Sequence, residues 1–249
     1  MNPLVSIIIP CFQYEKYIID CVMSCAMQTY QNIEIIVVDD CSKDSSLAVL
    51  AKICHLGNQA VIGHEVNRGY SSAKNTGIRK CNGDLIVHLD ADDMLTPTSI
   101  ADRVKVFEAN PDLEFLHAQA LKFEGDKSLS WCLRKQHKLK VDTKAQIHAQ
   151  TWMMKRSVYE RHGLYAEEMT SKGDKEFLSR LRLLKGQGES LVKATKLKAP
   201  VAFYRHHGAS MLAMRARNKG YDKKITKLFE ERMKMYHRDG ITLENTPFI

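Results

Sequence analysis

Short apolar runs alternate with amphipathic stretches over the first hundred residues of the chain. Residues 5–10, 33–38 and 85–89 are almost wholly apolar and rich in Val and Ile, as buried strands of a parallel sheet are. Residues 60–66 form a fourth, less regular run that contains Gly63, His64 and Glu65. The segments 15–28, 42–56 and 67–80 lie between these runs and predict three helices. This alternation predicts an α/β fold with a mostly parallel sheet and helices on both faces.

The pattern weakens in the second half of the chain. It predicts a helix at 96–109, one long strand or two short ones over 113–123, a strand at 152–154, and helices at 156–162 and 174–185. A last strand at 201–204 precedes a basic amphipathic helix at 222–238. Residues 125–149 are polar with little periodicity and are interpreted as a loop or an excursion on the acceptor side. Since no linker rich in Gly, Ser or Pro divides the chain, we expect one domain, 1–212, with a C-terminal appendage, 213–249.

Composition narrows the class of protein. Charged residues make up 27% of the 249 residues and apolar residues 44%, which is ordinary for a soluble globular protein. The apolar runs are too short to cross a bilayer, and residues 4–9 are too short for the core of a signal peptide. Seven cysteines without a CxxC pair indicate reduced thiols, so the sequence predicts a cytoplasmic protein. The net charge of +8 indicates an anionic partner: nucleotide phosphates, an anionic lipid surface or nucleic acid.

Acidic residues follow two of the predicted strands. Asp90, Asp92 and Asp93 come directly after the run at 85–89, and Asp39 and Asp40 end the run at 33–38. Ligands of open α/β sheets bind at the carboxyl ends of the strands. Carboxylates this close together repel one another unless a cation lies among them, and Mg²⁺ or Mn²⁺ is the expected partner. The alternative is a solvated acidic turn that caps the helix beginning near Thr96.

Six motifs in order carry a resemblance to a known enzyme family. They are Val5-Ser-Ile-Ile-Ile-Pro10, Gln28-Thr-Tyr, Glu34-Ile-Ile-Val-Val-Asp-Asp40 with Ser42 and Asp44, Asn67-Arg-Gly, Ala73-Lys-Asn-Thr-Gly77 and Leu89-Asp-Ala-Asp-Asp93. The series resembles the family 2 inverting glycosyltransferases, densely over about the first hundred residues and sparsely to about Ser210. The resemblance implies the type A glycosyltransferase fold, a Rossmann-like sheet with a nucleotide-sugar-binding half, 1–110, and an acceptor-binding half, 111–212.

The resemblance also implies roles for individual residues. Contacts to the nucleotide sugar are implied for Pro10, Asp39, Asp40, Arg68, Lys74, Asp90, Asp92 and Arg205. Asp40 would accept a hydrogen bond from the base, and Arg205 would help to neutralise phosphate. Metal ligation, with Mn²⁺ or Mg²⁺, is implied for Asp92, Asp93 and His207. Asp174 corresponds to the general base, with Glu176 as its rival.

Structural alternatives stand beside these roles. Asp39 or Asp40 could cap the following helix, Asp174 could be an N-cap, and a lone histidine such as His207 is often structural. The chain also departs from the family pattern. Lys74 replaces an arginine, Cys41 a glycine, Phe12-Gln13 a Tyr-Asn pair, and Gly173 the glutamate that usually precedes the base. A lysine at position 74 would offer phosphate or base a point charge without a bidentate fork.

The implied reaction is metal-dependent, inverting transfer of a single sugar from a nucleotide-diphosphate sugar, expected to be a UDP-sugar. The acceptor would be a hydroxyl of a glycan, a lipid-linked molecule or another compound. Processive members carry Gln-x-x-Arg-Trp, which does not occur in this sequence. The alternatives are action on a modified base in nucleic acid and a non-catalytic sugar- or nucleotide-binding protein. A nucleotidyltransferase would need a glycine-rich basic loop after the first strand, where Pro10-Cys-Phe-Gln-Tyr stands instead.

Positive charge gathers near the C-terminus. The basic residues there are Arg215, Arg217, Lys219, Lys223, Lys224 and Lys227, and the predicted helix has an apolar face of Ile225, Leu228, Phe229, Met233 and Tyr236. Lys135, Lys138, Lys140 and Lys144 add a second basic segment, in the predicted acceptor-binding half. The helix could pack on its own domain or lie on an anionic membrane as a peripheral contact. Few aromatic residues accompany these charges, so nucleic acid is the less favoured partner.

Overall fold

A mixed sheet of nine strands forms the centre of the protein. The computed structural model describes residues 2–53, 58–142, 148–169, 172–183, 189–208 and 219–238, and the side chains of the last segment over 223–234. The strands are β1 Val5–Cys11, β2 Ile33–Asp39, β3 Gln59–Gly63, β4 Leu85–His88, β5 Met94–Leu95, β6 Phe115–Glu124, β7 Lys140–Val141, β8 Trp152–Lys155 and β9 Ala194–His206. Their order is β3-β2-β1-β4-β8-β6-β9-β5, with β7 beside β6.

Eight helices surround this sheet in the described residues. They are α1 Ile18–Ala26, α2 Ser46–Ile53, α3 Tyr70–Lys80, α4 Ser99–Ala109, α5 Leu129–Lys135, α6 Arg156–His162, α7 Gly173–Arg180 and α8 Lys219–Arg238. Short 3₁₀ turns lie at Gln136–Lys138 and Ala149–Thr151.

The first four long strands are parallel, as the apolar runs predict. Strand β1 pairs with β2 and β4, and β2 pairs with β3, all in parallel. Because side chains alternate along a strand, Ile7 and Ile9 join a core with α1 and α4 on one face, while Ile8 joins α3, α6 and α7 on the other. The predicted α/β sheet with helices on both faces is confirmed.

The second half of the sheet is mixed in direction. Strand β8 is antiparallel to both β4 and β6, whereas β6 and β9 are parallel. The run at 113–123 forms one long strand, and the last strand is longer than predicted. The interpretation of 125–149 as a loop is wrong for α5, which begins where Ser128 Oγ accepts a hydrogen bond from the Trp131 amide at 3.3 Å. A seven-residue helix is too short to display a clear period, yet it buries Leu129 and Cys132.

Helix α3 lies unusually close to the central strand β1. A Cβ atom at Gly77 would lie 2.3 Å from Ile8 Cγ2, so only glycine allows this approach. The carboxyl edge of the parallel strands and the first turns of α3 therefore share one region. Tyr70 and Lys74, on α3, are carried to that edge.

The C-terminal helix α8 packs on its own domain. Ile225 is buried against Ala166 and Met169, with Leu228 and Phe229 packed alongside. Lys144, Ser210, Arg215, Arg217 and the appendage residues 213–218 and 239–249 lie outside the described residues, as does the side chain of Tyr236. Among the described residues, no helix has the length and apolar character needed to cross a membrane.

Candidate functional site

Three carboxylates converge just beyond the end of β4. Asp90, Asp92 and Asp93 each offer an oxygen, and these ligand atoms all lie within 4.8 Å of one another. The turn that gathers them is closed by the Asp93 amide, which donates to the Asp90 carbonyl at 2.9 Å. Several carboxylate oxygens at this spacing match the hard ligands that Mg²⁺ and Mn²⁺ prefer. The residues present therefore fit a divalent cation.

The raised pKa values in this acidic cluster also favour a bound cation. Burial, reinforced by the charge of Asp92, raises the pKa of Asp90 to about 7. Burial and then the charges of Asp92 and Asp90 raise the pKa of Asp93 well above its usual value. Mutual repulsion of this kind makes the fully ionised cluster costly without a counter-charge. A cation bound among the three oxygens would remove that cost.

Neighbouring side chains fix the orientation of each carboxylate. Tyr70 Oη donates to Asp90 Oδ1 at 2.6 Å, and Gln150 Nε2 donates to Asp93 Oδ2 at 2.7 Å. His207 Nε2 lies 2.8 Å from Asp92 Oδ2. Strand β9 thus brings His207 beside the acidic cluster, where the motif resemblance puts it. Tyr70 and Gln150 are contacts that the sequence did not indicate.

Arg205 lies beneath the acidic cluster and bonds to the backbone around it. Its side chain is 2% exposed, and Nε donates to the Asp92 carbonyl at 2.7 Å. Nη1 donates to the carbonyls of Gly125 and Lys127, each at 2.9 Å. Nε and Nη1 of this guanidinium are therefore committed to backbone carbonyls, and a contact of Arg205 with phosphate stays a prediction. Arg205 stabilises the loop beneath the acidic cluster, and its amide donates to Asp93 Oδ1 at 2.7 Å.

The second acidic pair joins the loops that follow β1, β2 and β3. Asp40 Oδ1 contacts His64 Nδ1 at 2.7 Å and accepts the Arg68 amide at 2.8 Å, while Oδ2 accepts the Gly69 amide at 2.7 Å. Contacts within the described residues therefore use three of its roughly four acceptor positions, two on Oδ1 and one on Oδ2. Asp39 Oδ2 accepts the Ser42 amide at 3.0 Å, in the turn that precedes α2, so this bond does not cap the helix, which begins at Ser46.

The remaining predicted contacts lie around this pair. Pro10 is buried in β1 opposite Val38 of β2, and the Asp40 amide donates to the neighbouring Cys11 carbonyl at 2.8 Å. The Arg68 side chain is about half exposed and lies 3.5 Å from Glu167. The structure therefore gathers Pro10, Asp40 and Arg68 at one end of the sheet.

A buried lysine, Lys74, lies between Asp174 and the acidic cluster. Lys74 Nζ donates to Asp174 Oδ1, and the lysine side chain is 0% exposed against 30% for Asp174. The ammonium also lies 4.7 Å from the ring centre of Tyr70 and 4.2 Å from that of Tyr165. Since Tyr70 also donates to Asp90, one tyrosine contacts both the acidic cluster and the lysine that holds Asp174.

The two alternatives raised for Asp174 find little support in this geometry. Helix α7 begins at Gly173 after the N-cap residue Lys172, so Asp174 lies within the first turn and is not the cap. Glu176 is 0% exposed and pairs with Arg180 at 3.2 Å, so it does not reach solvent. Of these two carboxylates, Asp174 is the one that an incoming molecule could meet.

Asn75 is a connecting residue that sequence reasoning missed. Its Nδ2 donates to the Tyr165 carbonyl and its Oδ1 accepts the Tyr165 amide, both at 2.9 Å. This double hydrogen bond ties α3 to the segment that leads into α7. A buried polar residue within the helix was the available signal, because such a side chain needs partners.

Sequence comparison matches most of the chain to a family of known proteins. Residues 6–163 match the family described as Glycosyl transferase family 2. The chain is 26% identical to the putative glycosyltransferase EpsH of Bacillus subtilis over 98% of its own length and 70% of that protein. It is 38% identical to the glycosyltransferase GlyG of Streptococcus pneumoniae over 40% of its own length, and it spans only 34% of that relative.

Two solved structures share the fold at low sequence identity. Staphylococcus aureus TarS 1-349, in complex with UDP-GlcNAc, gives a TM-score of 0.66 at 19% identity over 84% of this chain and 60% of that one. The mannosyltransferase PcManGT of Pyrobaculum calidifontis, in complex with GDP-Man and Mn²⁺, gives 0.65 at 20% identity over 87% and 61%. At this level of identity the likeness establishes the fold alone.

Proposed function

The chain belongs to glycosyl transferase family 2, and from this premise we propose that it transfers a single sugar from a nucleotide-diphosphate sugar to an acceptor hydroxyl, with inversion at the anomeric carbon. One observation carries the proposal. Asp90, Asp92 and Asp93 present three oxygens within 4.8 Å, and Lys74 and Tyr70 join this group to a fourth, partly exposed carboxylate, Asp174. The three clustered aspartates suit a cation, and the single carboxylate of Asp174 suits a proton transfer.

The proposed donor is a UDP-sugar. Among the described residues, Asp40 Oδ2 accepts one hydrogen bond, and a second would suit the ring N–H of uracil; the half-exposed Arg68 beside it could approach phosphate. The relatives support a nucleotide-sugar donor in general, since TarS is in complex with UDP-GlcNAc and PcManGT with GDP-Man. Guanine also has a ring N–H, so the base is decided by the assay below.

Asp92 and Asp93, with Asp90 and His207, would hold Mn²⁺ or Mg²⁺. When bound there, the cation supplies positive charge to the diphosphate as it leaves. The protein residues orient this site: Tyr70, Gln150 and the Arg205 amide fix the carboxylates, and Tyr17 packs its ring 5.0 Å from that of His207. Such preorganisation means that little rearrangement is needed during reaction.

Asp174 is the proposed general base. Lys74 compensates its negative charge, and its 30% exposure leaves it open to an acceptor. The proton of the acceptor hydroxyl passes to Asp174 as the hydroxyl oxygen bonds to the anomeric carbon. On the opposite side of the sugar, the bond to the diphosphate oxygen breaks and its electron pair stays with the leaving group. Attack opposite to departure inverts the configuration.

The acceptor is proposed to be a hydroxyl of a glycan or a lipid-linked molecule. The described part of α8 buries Ile225 against its own domain, so any contact with an anionic membrane would depend on exposed lysines such as Lys223, Lys224 and Lys227. We therefore expect binding to anionic vesicles to vanish at high salt, and binding to neutral vesicles would contradict this. A contact with nucleic acid would rest on the same charges and is less favoured.

The test is release of nucleotide diphosphate from UDP-GlcNAc, UDP-glucose and GDP-mannose, with Mn²⁺ or with a chelator. We expect metal-dependent hydrolysis of at least one donor, with water in place of the acceptor. Asp174→Asn should lower kcat by roughly 10²- to 10⁴-fold while donor binding is kept, because a base acts mainly in the transition state. If the protein binds a donor but never releases its nucleotide, a non-catalytic binding protein is the better account.

A further inference from the structure

Helix α7, which carries Asp174, has no side-chain hydrogen bond at its N-cap. It is only eight residues long, and short helices are stable mainly through tertiary packing. Its N-cap residue, Lys172, has a left-handed backbone with φ 65°. A lysine side chain has no acceptor with which to cap a helix. The orientation of the first turn, and so of Asp174, must come from neighbouring elements.

Helix α8 is the neighbour that covers α7. Its residue Ile225 is 4% exposed and packs on Ala166 and Met169, in the segment that leads to α7. Lys172 Nζ contacts Thr226 Oγ1 of α8, and Lys175 Nζ lies 5.1 Å from the ring centre of Phe229. Both lysines flank Asp174 in sequence. The base-bearing turn is therefore lined by α8 on one side.

A buried charge also joins the two helices. Glu176 is 0% exposed, and a carboxylate in that position needs compensating charge. Arg180 on the same helix supplies one partner at 3.2 Å, and Arg232 Nε of α8 lies 3.6 Å from the other oxygen, Oε1. Arg232 also pairs with Glu168, before α7. One arginine of α8 thus contacts acidic residues on both sides of Asp174.

We propose that α8 is a clamp on α7 and that Arg232 is a positioning residue for Asp174, acting through Glu176. This inference rests on the proposed role of Asp174 as the base. It gives the C-terminal helix a part in the reaction, although the helix lies beyond residues 6–163, which match the family. The clamp consists of Ile225, Phe229 and Arg232.

The test compares three variants of the whole 249-residue chain, Arg232→Met, Arg232→Lys and the control Lys234→Met, which alters an exposed residue of the same helix. Kinetic constants for hydrolysis of UDP-GlcNAc, UDP-glucose and GDP-mannose with Mn²⁺ are measured together with hydrogen exchange of the α7 amides. We expect Arg232→Met to lower kcat by about 10- to 100-fold, with donor KM within about twofold, since small misplacement of a reacting group has effects of this size. Arg232→Lys should recover most of the rate, because it restores the charge.

Exchange over Gly173–Arg180 should rise in Arg232→Met and stay as in the parent protein in Lys234→Met. Unchanged exchange in Arg232→Met overturns the clamp, whatever the activity. An equal effect on kcat and donor KM, or a similar loss in Lys234→Met, would mean that α8 contributes only to general stability, and this result also overturns the clamp. Failure of the proposed function looks different: the parent protein releases no nucleotide, or Asp174→Asn retains full activity, and positioning of a base is then refuted even if exchange changes.

Discussion

Asp90 is the residue at which burial and charge act most directly on the candidate site. Its pKa is raised to about 7, first by burial and then by the charge of Asp92. An unfolded chain would return it to about 3.9. Between these two values the folded protein keeps a proton that the unfolded chain has released. The free energy of unfolding of the metal-free protein therefore falls as pH rises through this window.

The predicted consequence is a pH-dependent effect of metal on stability. Cation binding requires ionised carboxylates and competes with protons, so its benefit should grow as pH rises. We expect the increase in Tm caused by Mn²⁺ to be larger at about pH 8 than at about pH 5, when both are measured by thermal unfolding.

The control for this prediction is Asp90→Asn. The amide cannot ionise, so the metal-free variant should lose much of the decline in stability between about pH 4 and pH 7. A Mn²⁺ effect that is equal at both pH values, or larger at the lower one, would argue against a metal site at these carboxylates.

At the scale of elements, the approach of α7 to α3 decides whether Lys74 reaches Asp174. A Cβ atom at Gly173 would lie 2.5 Å from Ser71 Oγ, but 3.8 Å from Ser71 Cβ. The hydroxyl of Ser71 donates to the Met169 carbonyl at 2.8 Å, which holds it in place. Glycine at 173, where the family pattern has glutamate, therefore has a physical reason in this chain: the Ser71 hydroxyl occupies the space that a Cβ atom would need.

A double-mutant cycle tests this close approach. Gly173→Ala should destabilise the protein by about 1–3 kcal/mol, because the added methyl group overlaps the Ser71 hydroxyl. Adding Ser71→Ala removes that oxygen and should recover part of the loss, so the two effects on the free energy of unfolding will not add. The measurement is denaturant unfolding of the two single variants and the double variant. Strict additivity would show that the helices do not meet at this point.

Several elements could be predicted from sequence because their signals are local. Apolar runs identify β1, β2 and β4, and the helix at 156–162 is confirmed with the same ends. The antiparallel placement of β8 between β4 and β6 could not be predicted, since pairing between distant strands is set by the whole core. The two-residue strand β5 and the short helix α5 carry too few residues for a period.

The site follows the same division between local and distant contacts. The three aspartates after β4 are neighbours in sequence, so their convergence could be inferred from a strand end. The hydrogen bonds from Tyr70 and Gln150 join residues 20 and 57 positions apart from their partners, and no local pattern announces them. The contact of Arg205 with phosphate stays a prediction, whereas its bonds to backbone carbonyls could not be predicted from its motif. Its burial depends on the carbonyls of Gly125 and Lys127, which only the folded loop brings near.

At the scale of the whole molecule, the fold connects the residues proposed to bind donor and metal with the proposed general base. Its parallel half ends in the acids proposed to hold donor and metal, whereas Asp174 comes from the later half and is attached through Lys74, Asn75 and Tyr165. The division into halves at 1–110 and 111–212 stays a prediction, and so does the boundary of the appendage at 213. The proposed reaction requires this connection between the halves, because the base must act on the same sugar that the donor site holds.

The central claim is that these acids bind a divalent cation that makes donor turnover possible. Nucleotide diphosphate release from the best donor of the panel, in the parent protein and in Asp92→Asn, with Mn²⁺ and with Mg²⁺, tests it most directly. We predict a loss on the order of a hundredfold or more in Asp92→Asn with either metal, because each lost charge weakens stabilisation of the leaving group. Asp93→Asn should behave alike. Full turnover in both variants with both metals would contradict the account.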